Sequence, residues 1–279
     1  MTATAEIVTL PTRRRNRAPA TKTLAALAGR RFALTARTPR ELLVPLLTPL
    51  LFALVIAPAL KTALHTSATY EAYVAIGTIA LLVPLNTFFL GLGVIVDRTS
   101  GPQRELLAAP IRRSLLVFGN LAVALAITGL QIGALIGFAV ARRIHFHPSS
   151  AGLLWFIVAA LLLTVAMYAA AETLASRIPR QEEYIARIPA IAIAPWFLAG
   201  SLFPITAMPV GLEWVARFLP TTHALALMRY GLMHDPSGLD NIWGLSATSS
   251  ALLSLAVVAL FAIALTGVAV RTFTRAAQR

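Results

Sequence analysis

The sequence predicts an all-α membrane protein of six transmembrane helices with both termini on the cytoplasmic side. Three observations carry this expectation. Six stretches contain no Asp, Glu, Lys or Arg: Leu42 to Leu60, Ala72 to Val96, Ser114 to Ala141, Ala151 to Ala171, Ile188 to Leu212 and Asn241 to Val270. The 279-residue chain is 58% hydrophobic and only 13% charged. Its basic residues fall unevenly between alternate loops. An apolar helix of roughly 20 residues crosses the hydrocarbon layer, because about 1.5 Å per residue must cover about 30 Å, and each stretch is near or above that length.

Orientation follows from the cations. With the N-terminus inside, residues 1–41, 97–113, 172–187 and 271–279 face the cytoplasm and hold nine, four, three and three Lys plus Arg, together 19 of the 24. The external side keeps Lys61, Arg142, Arg143, Arg217 and Arg229. Basic loops resist translocation, so this asymmetry sets the topology. The same placement assigns the net charge of +13 to the lipid surface rather than to nucleic acid. The cluster Arg13 to Arg17 is followed by polar and charged sequence, so no cleavable signal is expected there.

The spans read as follows. The first run leads from the basic N-terminal segment into lipid. The second carries Asn86 and the third Gln131, amides that seek a hydrogen-bonding partner on a neighbouring helix. The third also carries Gly129, Gly133 and Gly137, four residues apart on one helix face, a spacing that lets another backbone approach closely. Trp155 and Tyr168 stand near opposite ends of the fourth run as interfacial anchors. Glu172, just past that run, reads as a boundary residue solvated near the cytoplasmic surface. None of the first four runs holds an ionisable group, so the chain shows no ion-driven engine.

Catalytic chemistry finds no foothold. The only lysines, Lys22 and Lys61, do not follow glycine, so no phosphate-binding P-loop can be written. Absence of cysteine excludes disulfides, thiolate nucleophiles and Cys-ligated metals. His145-Phe146-His147 lacks a nearby Asp, Glu or Cys and reads as a polar external loop. No G-x-S-x-G elbow positions a serine. Too little sequence lies outside the runs for a soluble catalytic domain of about 100 residues. No catalytic residue, no metal site and no cofactor bound by this chain are expected.

Two segments between spans are more informative. Asp97 to Arg113 contains Gly101-Pro102, a short helix-capable stretch with Leu106 and Leu107, and a closing Pro110. This makes one or two helical turns bounded at both ends, either a solvated connector or an element that docks in a partner's groove. Within the fifth run stand Pro195, Pro204 and Pro209, and after it come Glu213 to Leu219, Pro220-Thr221-Thr222-His223 and Leu225 to Met233. Repeated prolines break the helix, and broken half-buried helices at the outer face are expected.

In these motifs the chain resembles the type-2 ABC exporter permeases, in particular their daunorubicin-resistance-like bacterial members. The likeness lies in Ala36-Arg37-Thr38-Pro39-Arg40, in Asp97-Arg98 through Leu106-Leu107-Ala108-Ala109-Pro110-Ile111-Arg112-Arg113, in Gly200-Ser201-Leu202-Phe203-Pro204 to Met208-Pro209, and in Pro220-Thr221-Thr222 followed by Arg229. One departure is Arg98-Thr99-Ser100-Gly101-Pro102, where many relatives carry an acidic residue followed by Gly-Thr. The resemblance implies a half-transporter of the bacterial plasma membrane. A second permease, identical or paralogous, pairs with it, and two separate ABC ATP-binding subunits supply ATP and Mg. It implies residues 1–41 as basic tail and interfacial helix (near Thr21 to Arg37), 42–270 as the membrane domain and 271–279 as a cytoplasmic tail. Spans are then expected at about 42–60, 72–96, 114–141, 151–171, 188–206 and 246–270. Arg104, Glu105, Leu106, Leu107, Ile111 and Arg112 would form the ATPase-coupling helix, and the segment after run five the external reentrant helices. Asn86, Phe88, Phe89, Trp196, Phe197 and Phe203 are candidate walls of the translocation path, the other reading of each aromatic being packing or lipid-facing bulk. The implied activity is ATP-driven export of a hydrophobic or amphipathic small molecule, a drug or lipid-like natural product. The alternatives are export of a lipid-linked polysaccharide and, from a different class, a membrane-embedded lipid-modifying enzyme.

Overall fold

The computed structural model describes residues 19–63, 65 and 69–276; the basic cluster Arg13 to Arg17 lies outside them. The described residues form helices and connecting turns, with no strand among them. Among the described residues, five helices are long and apolar enough to cross a membrane.

Helix α1 (Ala20–Ala36) precedes the first span. That span comprises α2 (Pro39–Leu51), a wider π-helical turn at Phe52–Ile56, and α3 (Ala57–Ala63). Pro45 and Pro49 remove two amide donors inside α2, and such a helix relieves the resulting mismatch by locally changing its hydrogen-bond register. Helix α4 (Thr69–Thr99) is the axis of the bundle, buried on nearly every face by α2, α6, α7, α8 and α10. The short α5 (Pro102–Ala108) joins it to α6 (Ser114–Ala141). Helix α7 (Ser150–Arg177) begins with the Ser149 hydroxyl accepting from the amide of Gly152 at 3.0 Å, which satisfies one of its free N-terminal donors. It packs against α4, α10 and α12.

Helix α8 (Gln181–Leu198) departs from the expected span at 188–206. It starts seven residues earlier and stops at Leu198. Gly200 then takes a left-handed conformation (φ 77°) and Pro204 prevents the chain from resuming the helix. The polypeptide turns through Ile205–Ala207 into α9 (Val210–Phe218) and α10 (Pro220–Met233), the two short helices expected after run five. Helix α11 (Ser237–Trp243) ends at Gly244 (φ 65°), and α12 (Ala247–Ala276) completes the bundle.

Backbones meet closely where α7 crosses α10. A Cβ on Gly152 would fall 2.3 Å from the Gly231 carbonyl oxygen, and one on Gly231 would fall 2.4 Å from that of Gly152. By contrast, Gly129, Gly133 and Gly137 of α6 have nothing within 4 Å where a side chain would stand. The expected glycine face therefore has no helix of the described residues seated on it. It borders a groove of about 250 Å³ between α6 and α7.

Candidate functional site

The segment from Asp97 to Arg113 is held at both ends by side chains that cross to other helices. Gly101 adopts φ 100°, a conformation that glycine takes without steric cost, and Pro102 opens α5 with φ already fixed for a helix. The helix is only seven residues long. Its exposed residues are Arg104, Glu105 and Ala108, followed by Pro110 and Arg112. Leu106, Leu107 and Ile111 turn the other way and are half-buried against the main core. The two leucines thus anchor the loop, and its free face is polar.

Three attachments surround this loop. Asp97 receives Arg30 of α1 through both carboxylate oxygens (3.2 and 3.4 Å), while Arg31 stands 3.7 Å away. Arg98 reaches the C-terminus of α7, donating to the carbonyls of Ala175 (3.1 Å), Ser176 (3.4 Å) and Ile178. A cation there satisfies carbonyls left free at a helix end and meets the negative pole of its dipole. On the far side, Arg113 donates to the carbonyl of Thr274 near the end of α12 at 3.4 Å. One short loop is therefore tied to α1, α7 and α12. Helix α1 is itself seated closely: Leu27 lies over Gly119 of α6, and the Arg31 guanidinium covers Gly93 of α4 so tightly that no side chain fits there.

At the opposite end of α4 the turn after α8 is pinned just as firmly. Arg229 of α10 is buried and donates to the carbonyls of Gly200 (2.9 Å), Ser201 (3.0 Å) and Tyr73 (3.3 Å). Its guanidinium lies 3.3 Å from the centroid of the Tyr73 ring. Burial lowers its pKa to about 10, so it remains a cation at neutral pH. Tyr73 and Tyr70 donate to Gly200 (2.9 Å) and Leu202 (3.1 Å). In the same region His223 stacks on Trp243 and bridges the Ser254 hydroxyl (3.2 Å) to the Arg217 carbonyl (2.9 Å). Because a carbonyl only accepts, Nε2 must donate and Nδ1 accept. Burial pushes the His223 pKa down, which favours this neutral form.

A family model described as "ABC-2 type transporter" matches residues 22–233, from the start of α1 through α10. The chain belongs to the ABC-2 type transporter family. It is a membrane permease of that family, and its sequence resemblance to the type-2 ABC permeases is borne out. Among curated relatives it is similar to Nodulation protein J of Rhizobium leguminosarum bv. viciae (24% identical over 171 residues) and to Nodulation protein J of R. leguminosarum bv. trifolii (25% over 171 residues). Each match covers 60% of this chain and 64% of the relative.

In this permease the expected path residues separate into two groups. Asn86 is buried and donates to Thr128 of α6 at 2.6 Å, the interhelical bond expected of an amide in lipid. Phe88 is buried against Tyr184 of α8. Trp196 is buried, donates to the Gly77 carbonyl at 2.8 Å and meets Phe52 edge-on at 4.8 Å. These three are occupied by packing within the chain. Phe89 is half-buried, whereas Phe197 and Phe203 are exposed on either side of the Gly200 turn. Residues reading as solvated in the sequence fare differently too. Glu172 is fully buried and accepts from Tyr168 at 2.6 Å, so Tyr168 is a core residue and not an interfacial anchor. Asp97, Arg98 and Arg113 were legible as loop charges, but nothing local to the sequence names their partners.

Proposed function

We propose that the permease is the transmembrane half of an ATP-driven exporter in a bacterial plasma membrane, moving a hydrophobic or amphipathic small molecule outward. In this reading α8 is the fifth of six spans, both termini are cytoplasmic, and α9 with α10 form an external reentrant element. Two permeases, identical or paralogous, assemble with two ABC ATP-binding subunits that carry ATP and Mg. Helix α5 is the coupling helix.

The supporting observation is that α5 presents a free face bearing Arg104 and Glu105, while its flanks are tied to α1, α7 and α12. A push delivered to that face reaches three helices at once, and close-packed helices transmit displacement because interiors resist compression. Motion of the ATP-binding dimer then becomes alternating access at the permease interface. Phe197 and Phe203, exposed near the external turn, are the aromatic surfaces best placed to meet a lipophilic cargo; Asn86, Phe88 and Trp196 serve packing.

The test is co-purification and ATP hydrolysis with the ATP-binding subunit. Arg104→Glu with Glu105→Arg alters only the free face, so the variant inserts normally but binds the subunit at least about tenfold more weakly, equivalent to about 1.4 kcal/mol. Leu106→Asp with Leu107→Asp is less selective, since those side chains also hold α5 to the core. Normal coupling in the charge-swapped variant, or labelling of residues 97–113 from outside the cell, removes the assignment.

A further inference from the structure

Glu172 poses a problem of charge. The side chain is fully buried near the cytoplasmic end of α7. Tyr168 donates to its Oε2, but Oε1 is buried without a hydrogen-bond partner. Leaving a buried carboxylate oxygen undonated is costly, so a carboxyl kept buried there is expected to serve a function.

Arg31 of α1 does not donate to it. Its guanidinium donates to the Leu90 carbonyl at 2.8 Å and approaches Asp97 to 3.7 Å, and Leu90 shares a buried cluster with Tyr168, the donor to Glu172. The Arg31 and Asp97 charges both act on the Glu172 carboxyl. Asp97 is already served by Arg30 through both oxygens. The four groups are balanced, two cations against two carboxylates, but both cations sit on the Asp97 side. Moving Arg31 to Glu172 would fill the orphaned oxygen and still leave Asp97 paired. Gly93, beneath the guanidinium, presents no side chain to obstruct that movement, and Tyr168 fixes the carboxylate so that Oε1 stays available.

We infer that Arg31 is a two-position side chain, exchanging Asp97 for Glu172 as α1 shifts against α4 and α7, and that Glu172 is a positioning residue of the transport cycle. The inference rests on the coupling reading above. Asp97 lies four residues before Gly101, so displacement of α5 acts first on this set. Nucleotide-driven motion of the loop loosens Arg31 from Asp97, and Glu172 captures it in the second state.

The chain has no cysteine, so spin labels can be introduced cleanly at Ala26→Cys on α1 and Arg177→Cys at the end of α7, both exposed. Double electron–electron resonance on the reconstituted permease with its ATP-binding subunit compares the nucleotide-free state with Mg-ATP plus vanadate. The α1–α7 distance should change on nucleotide binding. Glu172→Gln removes the second position and Arg30→Gln pins Arg31 on Asp97, so both should abolish the change and lower ATP hydrolysis at least about fivefold. Asp97→Asn should give the nucleotide-bound distance without nucleotide. A merely structural role for Glu172 predicts no effect of Arg30→Gln on the distance. The inference is overturned if the native-charge protein hydrolyses ATP normally with no distance change, or if Glu172→Gln keeps the change. Should Glu172→Gln fail to fold, the native-charge and Arg30→Gln measurements decide alone. If the permease neither binds nor stimulates the ATP-binding subunit, the coupling reading itself has failed and this inference falls with it.

Discussion

Trp196 donates its indole N–H to the backbone carbonyl of Gly77 at 2.8 Å, joining the end of α8 to the N-terminal third of α4. Gly77 is also where the Ser201 carbonyl comes closest to α4: a Cβ there would fall 2.3 Å from that oxygen and 3.3 Å from the Arg229 guanidinium. In an unobstructed helix, glycine to alanine would stabilise by about 1 kcal/mol. Here the obstructing atom belongs to the backbone of a pinned turn. Gly77→Ala is expected to destabilise by about 1–3 kcal/mol, read as a lower thermal unfolding temperature in detergent, with insertion unaffected. A stability equal to or above the native value would show that the turn is free to retreat.

Arg229 offers a sharper test of the same turn. It holds three carbonyls and stacks on Tyr73. Lysine keeps the charge but has neither the planar fork nor the flat face for stacking. Arg229→Lys should therefore lose most of what Arg229→Ala loses, about 3 kcal/mol or more, since several buried acceptors are left without donors. Protease sensitivity of the 199–209 segment gives the readout. Full protection in the lysine variant would mean that charge alone suffices.

At the other end of α4, Arg98→Ala should separate the 97–113 loop, the coupling element proposed above, from α7. The contact is half-exposed, so the expected cost in stability is modest, about 1–2 kcal/mol. The effect on nucleotide-dependent motion should be larger than that on folding. Measured against thermal stability, ATP hydrolysis by the assembled transporter should fall disproportionately in this variant. Parallel losses would mark Arg98 as a structural cap only.

His223 makes stability depend on pH in a stated direction. Its folded pKa lies below the ordinary value of 6.5 because burial disfavours the charged ring. Between the two pKa values the unfolded chain binds more protons, so stability rises with pH in that window. The contribution is fully present above pH about 6.5 and is lost as pH falls toward the depressed folded value. Unfolding of the native protein and of His223→Asn, compared from pH 7.5 down to 5, should show a flatter profile in the variant. Equal slopes would assign the pH response to other groups.

Much of the architecture was readable because lipid imposes simple local rules. Five of the six charge-free runs correspond to helices long and apolar enough to cross a bilayer. The loop at 97–113 and the broken segment after run five announce themselves through Gly101-Pro102, Pro204 and Pro220, whose backbone limits act locally. The fifth run misled on boundaries. Its lack of charge extends to Leu212, but the helix stops at Leu198, where Gly200 turns the chain and Pro204 keeps it from resuming. Spacing marked Gly129, Gly133 and Gly137 as one smooth face without saying which neighbour lies on it; the close crossing among the described residues is made by Gly152 and Gly231.

The sequence by itself determined the class and five long apolar helices, because backbone hydrogen bonding in lipid must be satisfied within each segment. It also carried the family. Only the tertiary structure decided which arginine meets which carbonyl, that Leu106 and Leu107 face inward, and that Glu172 is buried rather than solvated. Arg31 meets Leu90 across 59 positions and Arg113 meets Thr274 across 161. Contacts over such separations depend on how helices are oriented against one another, and no local pattern of residues encodes that.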